Sequence, residues 1–254
     1  MNKVTSDDTT VYYEKIGEGI PILFIHPPGM GRRVFDHQRP LAEKYQLILP
    51  DLSGHGDSDS IVEGSIIRKY VNEINMILEE EQMKQVIICG YSAGGMIGQE
   101  FALTYPLKVK ALILSGGYPK VETLGLHLMY NTGMKVLHNS PDTLAKILAF
   151  SHAKSAEYRE QLYLHMKESN YGHWYQYYKE TYQYNCVDRL SSISIPSITI
   201  YGEKAFWINK HKKYYENDPN FEIAYIKNGK HQIPTKKNKE FNQIVENFIS
   251  TKVN

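Results

Sequence analysis

The stretch Ile87-Ile88-Cys89-Gly90-Tyr91-Ser92-Ala93-Gly94-Gly95-Met96-Ile97-Gly98 constrains the fold more than any other part of the chain. Its short apolar run reads as a buried strand. The run stops at Gly-Tyr-Ser-Ala-Gly, and a helix-compatible segment follows. So sharp a turn holds its central serine in a strained conformation, with the hydroxyl lifted clear of the sheet. Gly90 and Gly94 have no side chains, so strand and helix can crowd together on either side. The helix N-terminus beneath Ser92 leaves N–H groups free, which favours negative charge there. A Gly-rich turn can also follow a strand with no chemistry attached, and the surrounding sequence decides between the two.

The first half of the chain alternates strand and helix. Strands are expected over 11–16, 21–25, 46–50, 86–89 and 109–115, and helices over 34–45, 66–83 and 94–104. Such alternation predicts a mostly parallel, doubly wound α/β sheet with helices on both faces. The rhythm breaks at 119–192, where the patterns are helical: 123–137, 141–150 with Ser140 as the expected cap, 156–169 and 174–184. Strand signals resume at 197–202 and 221–226, and an amphipathic helix closes at 241–251. The expected organisation is therefore one core from 1–118 and 193–254, carrying a helical lid (cap) at 119–192.

Bulk properties exclude several classes of function. A net charge of +1 gives no electrostatic case for nucleic acid or an anionic membrane. No run approaches the roughly 18 apolar residues of a membrane span, so no membrane insertion is expected. The start of the chain, Met1 to Asp8, is polar and acidic with no apolar core of a signal peptide. The two cysteines, Cys89 and Cys186, lack metal-ligand spacing. A cytoplasmic location, no metal and no organic cofactor are the resulting expectations. Oligomeric state is not legible.

Three features surround Ser92 in order. A His-containing loop, His26-Pro27-Pro28-Gly29-Met30-Gly31, follows an early strand. Asp51-x-x-Gly54-His55-Gly56-x-Ser58 follows the next. His231 lies after the last strand and before the final helix. With these residues the chain resembles the α/β-hydrolase superfamily, in its lidded branch of bacterial esterases and C–C bond hydrolases. The similar segments span nearly all of the chain except 119–192. The resemblance implies a serine hydrolase in which Ser92 attacks a carbonyl and His231 shuttles the proton. A histidine with an ordinary pKa of about 6.5 suits that work near pH 7. A lone histidine among ten is otherwise most simply a surface or core residue. The resemblance makes His26 and His55 structural ties. A serine at the elbow argues against the relatives that use aspartate there.

Two departures from the family pattern stand out. The oxyanion hole needs two N–H donors. Ala93 supplies one, but the position that normally supplies the other is Pro28, which has no N–H. Gly29 or Met30 is the expected replacement. The acid that orients the histidine normally stands three residues after the glycine closing the next-to-last strand, and here that position is Ala205. Three readings stay open: Glu122 serves as the acid from the end of the preceding strand, Glu203 swings in, or the acid is absent.

The aromatic segment around Trp174 and Tyr178, with Phe206 and Trp207, is the expected wall of an apolar substrate pocket; the alternative is that it only packs the lid. Tyr171, Trp174, Tyr178 and Tyr182 fall on one helical face. The expected substrate is a small to medium, mostly apolar ester or related acyl compound. The rival reading is a ligand-binding or signalling member with vestigial catalysis.

Overall fold

The computed structural model describes residues 1–6, 9–59 and 64–253 of the 254-residue chain. Asp7 and Asp8 of the acidic start lie outside them. The elements are β1 (Asn2–Ser6), β2 (Thr9–Ile16), β3 (Pro21–Ile25), β4 (Gln46–Pro50), α1 (Ile66–Glu80), β5 (Val86–Tyr91), α2 (Gly94–Thr104), β6 (Val109–Ser115), α3 (Leu124–Asn139), α4 (Pro141–His152), α5 (Ala156–Lys167), α6 (Tyr171–Gln183), β7 (Ser197–Gly202), α7 (Phe206–Asn209), β8 (Phe221–Ile226), α8 (Ile233–Lys236) and α9 (Asn238–Lys252). The eight strands form one sheet in the order β1-β2-β4-β3-β5-β6-β7-β8. From β4 to β8 neighbouring strands run parallel, while β1 and β2 are antiparallel to their neighbours.

Alternation along the strands builds two cores. On β5, Ile87 and Cys89 face a cluster that includes Val34, Phe35, Phe241 and Phe248. Val86 and Ile88 face the opposite cluster, with Ile74 and Leu78 of α1 and Ile97 and Phe101 of α2. Both sheet faces are covered, as a parallel sheet requires. Strand order reverses between β3 and β5. The loops leaving these two strands diverge there and open a crevice at the sheet's carboxyl edge. The His26 loop and Ser92 therefore meet by topology.

Three local expectations change. The 34–45 segment is a 3-10 helix over Arg32–Glu43 that contains Pro40. A proline there has no N–H, which breaks any continuous α ladder. Ser140 precedes α4 without a side-chain cap bond; its hydroxyl pairs with Thr143 instead, at 2.7 Å. The polar start forms β1, which pairs with β2 at the sheet edge and buries only Val4 of its five residues. An edge strand with one inward side chain leaves little apolar signal. Among the described residues, no helix is long and apolar enough to cross a membrane.

The four helices α3 to α6 lie between β6 and β7, and α6 reaches the loops that follow β3 and β4, with Tyr177 Oη donating to His26 O at 3.0 Å and His173 Nδ1 3.1 Å from Ser53 O. The aromatic face of α6 differs from the expected one. Trp174, Tyr177 and Tyr178 are buried with Thr181, whereas Tyr171 is exposed.

Candidate active site

Ser92 follows β5 with φ 54°. That left-handed conformation costs a non-glycine residue about 1–3 kcal/mol and persists only where its surroundings enforce it. Here the Ser92 N–H donates to Ser115 O at 2.9 Å, and Ser92 O accepts the Gly95 N–H at 2.9 Å. Gly94 must be glycine, because a Cβ there would stand 2.2 Å from Ile25 O of β3. The elbow is thus clamped between strand and helix, with its hydroxyl toward a cavity.

His231 arrives from the loop after β8, and its Nε2 lies 2.9 Å from Ser92 Oγ. Burial, reinforced by the nearby His152, pushes the His231 pKa down to about 3, so the ring is neutral near pH 7. The other ring nitrogen, Nδ1, is buried with no hydrogen-bond partner. Backbone occupies that side: Gly116, at φ 59°, passes so close that a Cβ would lie 2.7 Å from Nδ1.

Glu122 is not brought to His231. Its carboxylate is bound by Tyr214 Oη and Lys213 Nζ. Those two hydrogen bonds hold its pKa down at about 2. Glu203 is exposed and accepts the Asn228 N–H at 2.9 Å. Ala205 is buried in the loop after β7. That loop packs on the turn leading to His231, with the Lys204 N–H donating to Gly229 O at 2.7 Å.

On the opposite side of Ser92, Ala93 stands at the N-cap of α2. Pro27, Pro28 and Met30 face the same cavity. The Met30 N–H closes a turn onto Pro27 O at 3.3 Å. Gly29, at φ 81°, backs onto the Trp174 ring, and its carbonyl accepts the Ser169 hydroxyl at 3.2 Å. His26 positions this loop. Its Nε2 accepts the Leu52 N–H at 3.0 Å, which leaves Nδ1–H to donate to Pro27 O at 3.0 Å. The His55 ring lies against it, tilted by 57° with ring centroids 4.6 Å apart. Asp51 anchors the adjoining turn through Arg32 and through His165 of α5 at 3.0 Å.

The cavity holds about 250 Å³. None of its lining residues carries a carboxylate, ammonium or guanidinium. Of the four expected wall residues, Tyr178 and Trp207 line it, and the Trp207 ring centroid lies 5.6 Å from that of His231. Trp174 is buried behind Gly29, and Phe206 is 71% exposed on the outer surface. Phe206 and Trp207 diverge because successive residues of α7 face different ways.

Sequence reasoning missed Tyr118, Tyr130 and His152, which all line the cavity. His152 Nδ1 lies 2.8 Å from Leu148 O, so it carries the proton and Nε2 accepts from Tyr91 Oη at 2.9 Å. A signal existed for α4: Leu148, Ser151 and His152 share one helical face. Among the described residues, no three His, Cys, Asp or Glu side chains gather as a metal ion would need.

Residues 20–241 match the family described as the alpha/beta hydrolase fold. The putative carbamate hydrolase RutD of Azorhizobium caulinodans is 30% identical over 116 residues, 45% of this chain and 44% of that protein. The pimeloyl-(acyl-carrier protein) methyl ester esterase of Nitrosospira multiformis is 33% identical over 118 residues, 43% of each. The chain thus spans under half the length of these two relatives. Among solved structures, the esterase EaEST from Exiguobacterium antarcticum superposes with a TM-score of 0.88 at 18% identity, covering 98% of this chain and 99% of that one. At that identity the likeness speaks for the fold alone. With the family match covering most of the chain, this protein belongs to the alpha/beta hydrolase fold family.

Proposed function

We propose that the protein is a serine hydrolase acting on small to medium, mostly apolar esters or related acyl compounds. The observation that carries this reading is the contact of 2.9 Å between Ser92 Oγ and a neutral, buried His231 at a strained elbow. A serine hydroxyl is a weak nucleophile until a base removes its proton. In the proposed reaction His231 Nε2 takes that proton as Ser92 Oγ bonds to the substrate carbonyl carbon. The Ala93 N–H, with Gly29, or with Met30 once its N–H leaves Pro27 O, stabilises the resulting oxyanion. His231 then protonates the leaving alcohol, and water releases the acyl group by the reverse sequence. The helices at 119–192 act as a lid over the site. The uncharged, aromatic cavity supports a neutral acyl group of modest size. Relatives with esterase and carbamate hydrolase names support hydrolysis of this bond class.

One observation favours the rival reading of a ligand-binding member with weak catalysis: His231 Nδ1 has no acceptor. Without one, the imidazolium formed during attack is not stabilised. The discriminating experiment is turnover of p-nitrophenyl acetate and butyrate, with Ser92→Ala as control. Turnover lost in Ser92→Ala supports the hydrolase; equal turnover in both proteins supports the rival.

A further inference from the structure

The acid of a serine–histidine pair has two tasks. It holds the imidazole in place, and it favours the imidazolium that forms during attack. Both tasks need a group at the ring. Glu122 and Glu203 are bound elsewhere, and Ala205 stands where the acid is expected. Two residues further on, the same segment carries Trp207.

The Trp207 ring centroid lies 5.6 Å from that of His231, with the ring planes 51° apart. The Tyr91 ring, from the residue before Ser92, lies 5.4 Å away with the planes 38° apart. All three side chains line the cavity. An aromatic face carries partial negative charge, and a cation within about 6 Å of its centroid is attracted to it; tryptophan attracts best. A neutral imidazole gains little from such a neighbour, whereas an imidazolium gains much more. Burial strengthens the attraction, because water does not screen it.

Both rings are themselves fixed. Tyr91 is buried, and its Oη donates to His152 Nε2 of α4 at 2.9 Å. Trp207 O accepts the hydroxyl of Thr123, the N-cap of α3, at 3.0 Å. Gly125 in the first turn of α3 permits that approach, since a Cβ there would stand 2.8 Å from Trp207 Cβ. Helices α3 and α4 therefore set how the two rings meet the histidine.

Resting on the reading of Ser92 and His231 as the reacting pair, we propose that the Trp207 and Tyr91 rings take over both tasks of the missing acid. They hold the His231 imidazole toward Ser92, and they stabilise its cation as the Ser92 proton arrives on Nε2. Trp207 and Tyr91 are then positioning residues, and His152 acts behind Tyr91. The replacement is partial, because a ring face attracts a cation less strongly than a carboxylate does.

The test replaces tryptophan by its mono- and difluorinated forms throughout the full chain. Fluorine drains negative charge from the ring face and changes its shape little. The chain has two tryptophans, Trp174 and Trp207, so the same labelling of Trp207→Leu controls for Trp174. The readouts are kcat and KM on p-nitrophenyl butyrate, and the rate at which a fluorophosphonate modifies Ser92, which needs no turnover. In the wild type both rates should fall stepwise with fluorine number, with little change in KM. In Trp207→Leu fluorine should have no effect. Trp207→Leu itself should lose roughly 2- to 30-fold in kcat, the weight of one such contact, and Trp207→Phe, which keeps a ring, should lose less. In Ala205→Asp the fluorine effect should shrink, because a carboxylate then does the work. If Trp207→Leu does not fold, Trp207→Phe serves as the labelling control. Ser92-dependent rates that ignore fluorine overturn this proposal and leave the hydrolase. No Ser92-dependent reaction by either readout overturns the hydrolase, and this proposal with it.

Discussion

Replacing Ala205 by aspartate restores a carboxylate at the end of β7, where the family pattern has one, in the loop that packs on the turn before His231. The penalty it addresses can be sized. In the proposed attack His231 becomes positive, in a site that holds its pKa near 3 instead of the ordinary 6.5. That difference is worth about 5 kcal/mol against the imidazolium, or a rate factor of about 10³–10⁴. Loss of the orienting acid in a serine–histidine pair costs a similar factor, about ten thousand. Ala205→Asp should therefore raise kcat on p-nitrophenyl butyrate by roughly 10²–10⁴ with little change in KM. The pH profile adds a second readout. The wild-type base stays neutral down to about pH 3, so its rate should be flat above pH 4. With the carboxylate in place the imidazolium is favoured, the pKa rises, and an acid limb should appear near neutrality. A folded Ala205→Asp protein with unchanged kcat and an unchanged profile would refute the reasoning.

Other variants test separate parts of the account. Glu122→Gln should leave kcat within about twofold, because its carboxylate is held by Tyr214 and Lys213; a hundredfold loss would restore Glu122 as the acid. Ser92→Gly should abolish turnover yet raise Tm by about 2–4 °C, since glycine adopts φ 54° without the serine's strain. A lower Tm contradicts that strain. Glu73 is buried under Ser53, and burial raises its pKa from 4.5 to about 7. The folded state then holds a proton that the unfolded state has lost, so this group's contribution falls by about 3 kcal/mol as pH rises from 4.5 to 7. Denaturation at stepped pH should show that decline flattened in Glu73→Gln; an equal slope in both proteins contradicts it.

Much of this molecule was legible in its sequence. β3, β4, β6 and β7 fall at their expected residues because a strand buried on both faces is a short apolar run between turn residues, and the half-exposed edge strand β8 also falls at 221–226. Ser92 and His231, named from local strain and chain order, lie 2.9 Å apart in the structure. The acid was harder. An alanine shows that a role is vacant at one position, but only the fold shows that Glu122 is tied elsewhere. The cavity wall was half legible. Trp174 and Phe206 are aromatic neighbours of true lining residues and face other directions. His152 shares a helical face with Leu148 and Ser151, a signal that marks a face but not what it meets, and Tyr118 and Tyr130 gave no local signal.

The central claim is that Ser92 is the nucleophile. Its most direct test is the intact mass of the protein after reaction with a fluorophosphonate, followed by peptide mapping. The account predicts a single phosphonyl adduct on Ser92, slow to form, absent in Ser92→Ala and faster in Ala205→Asp. An unmodified wild type, or an adduct that persists in Ser92→Ala, would contradict it.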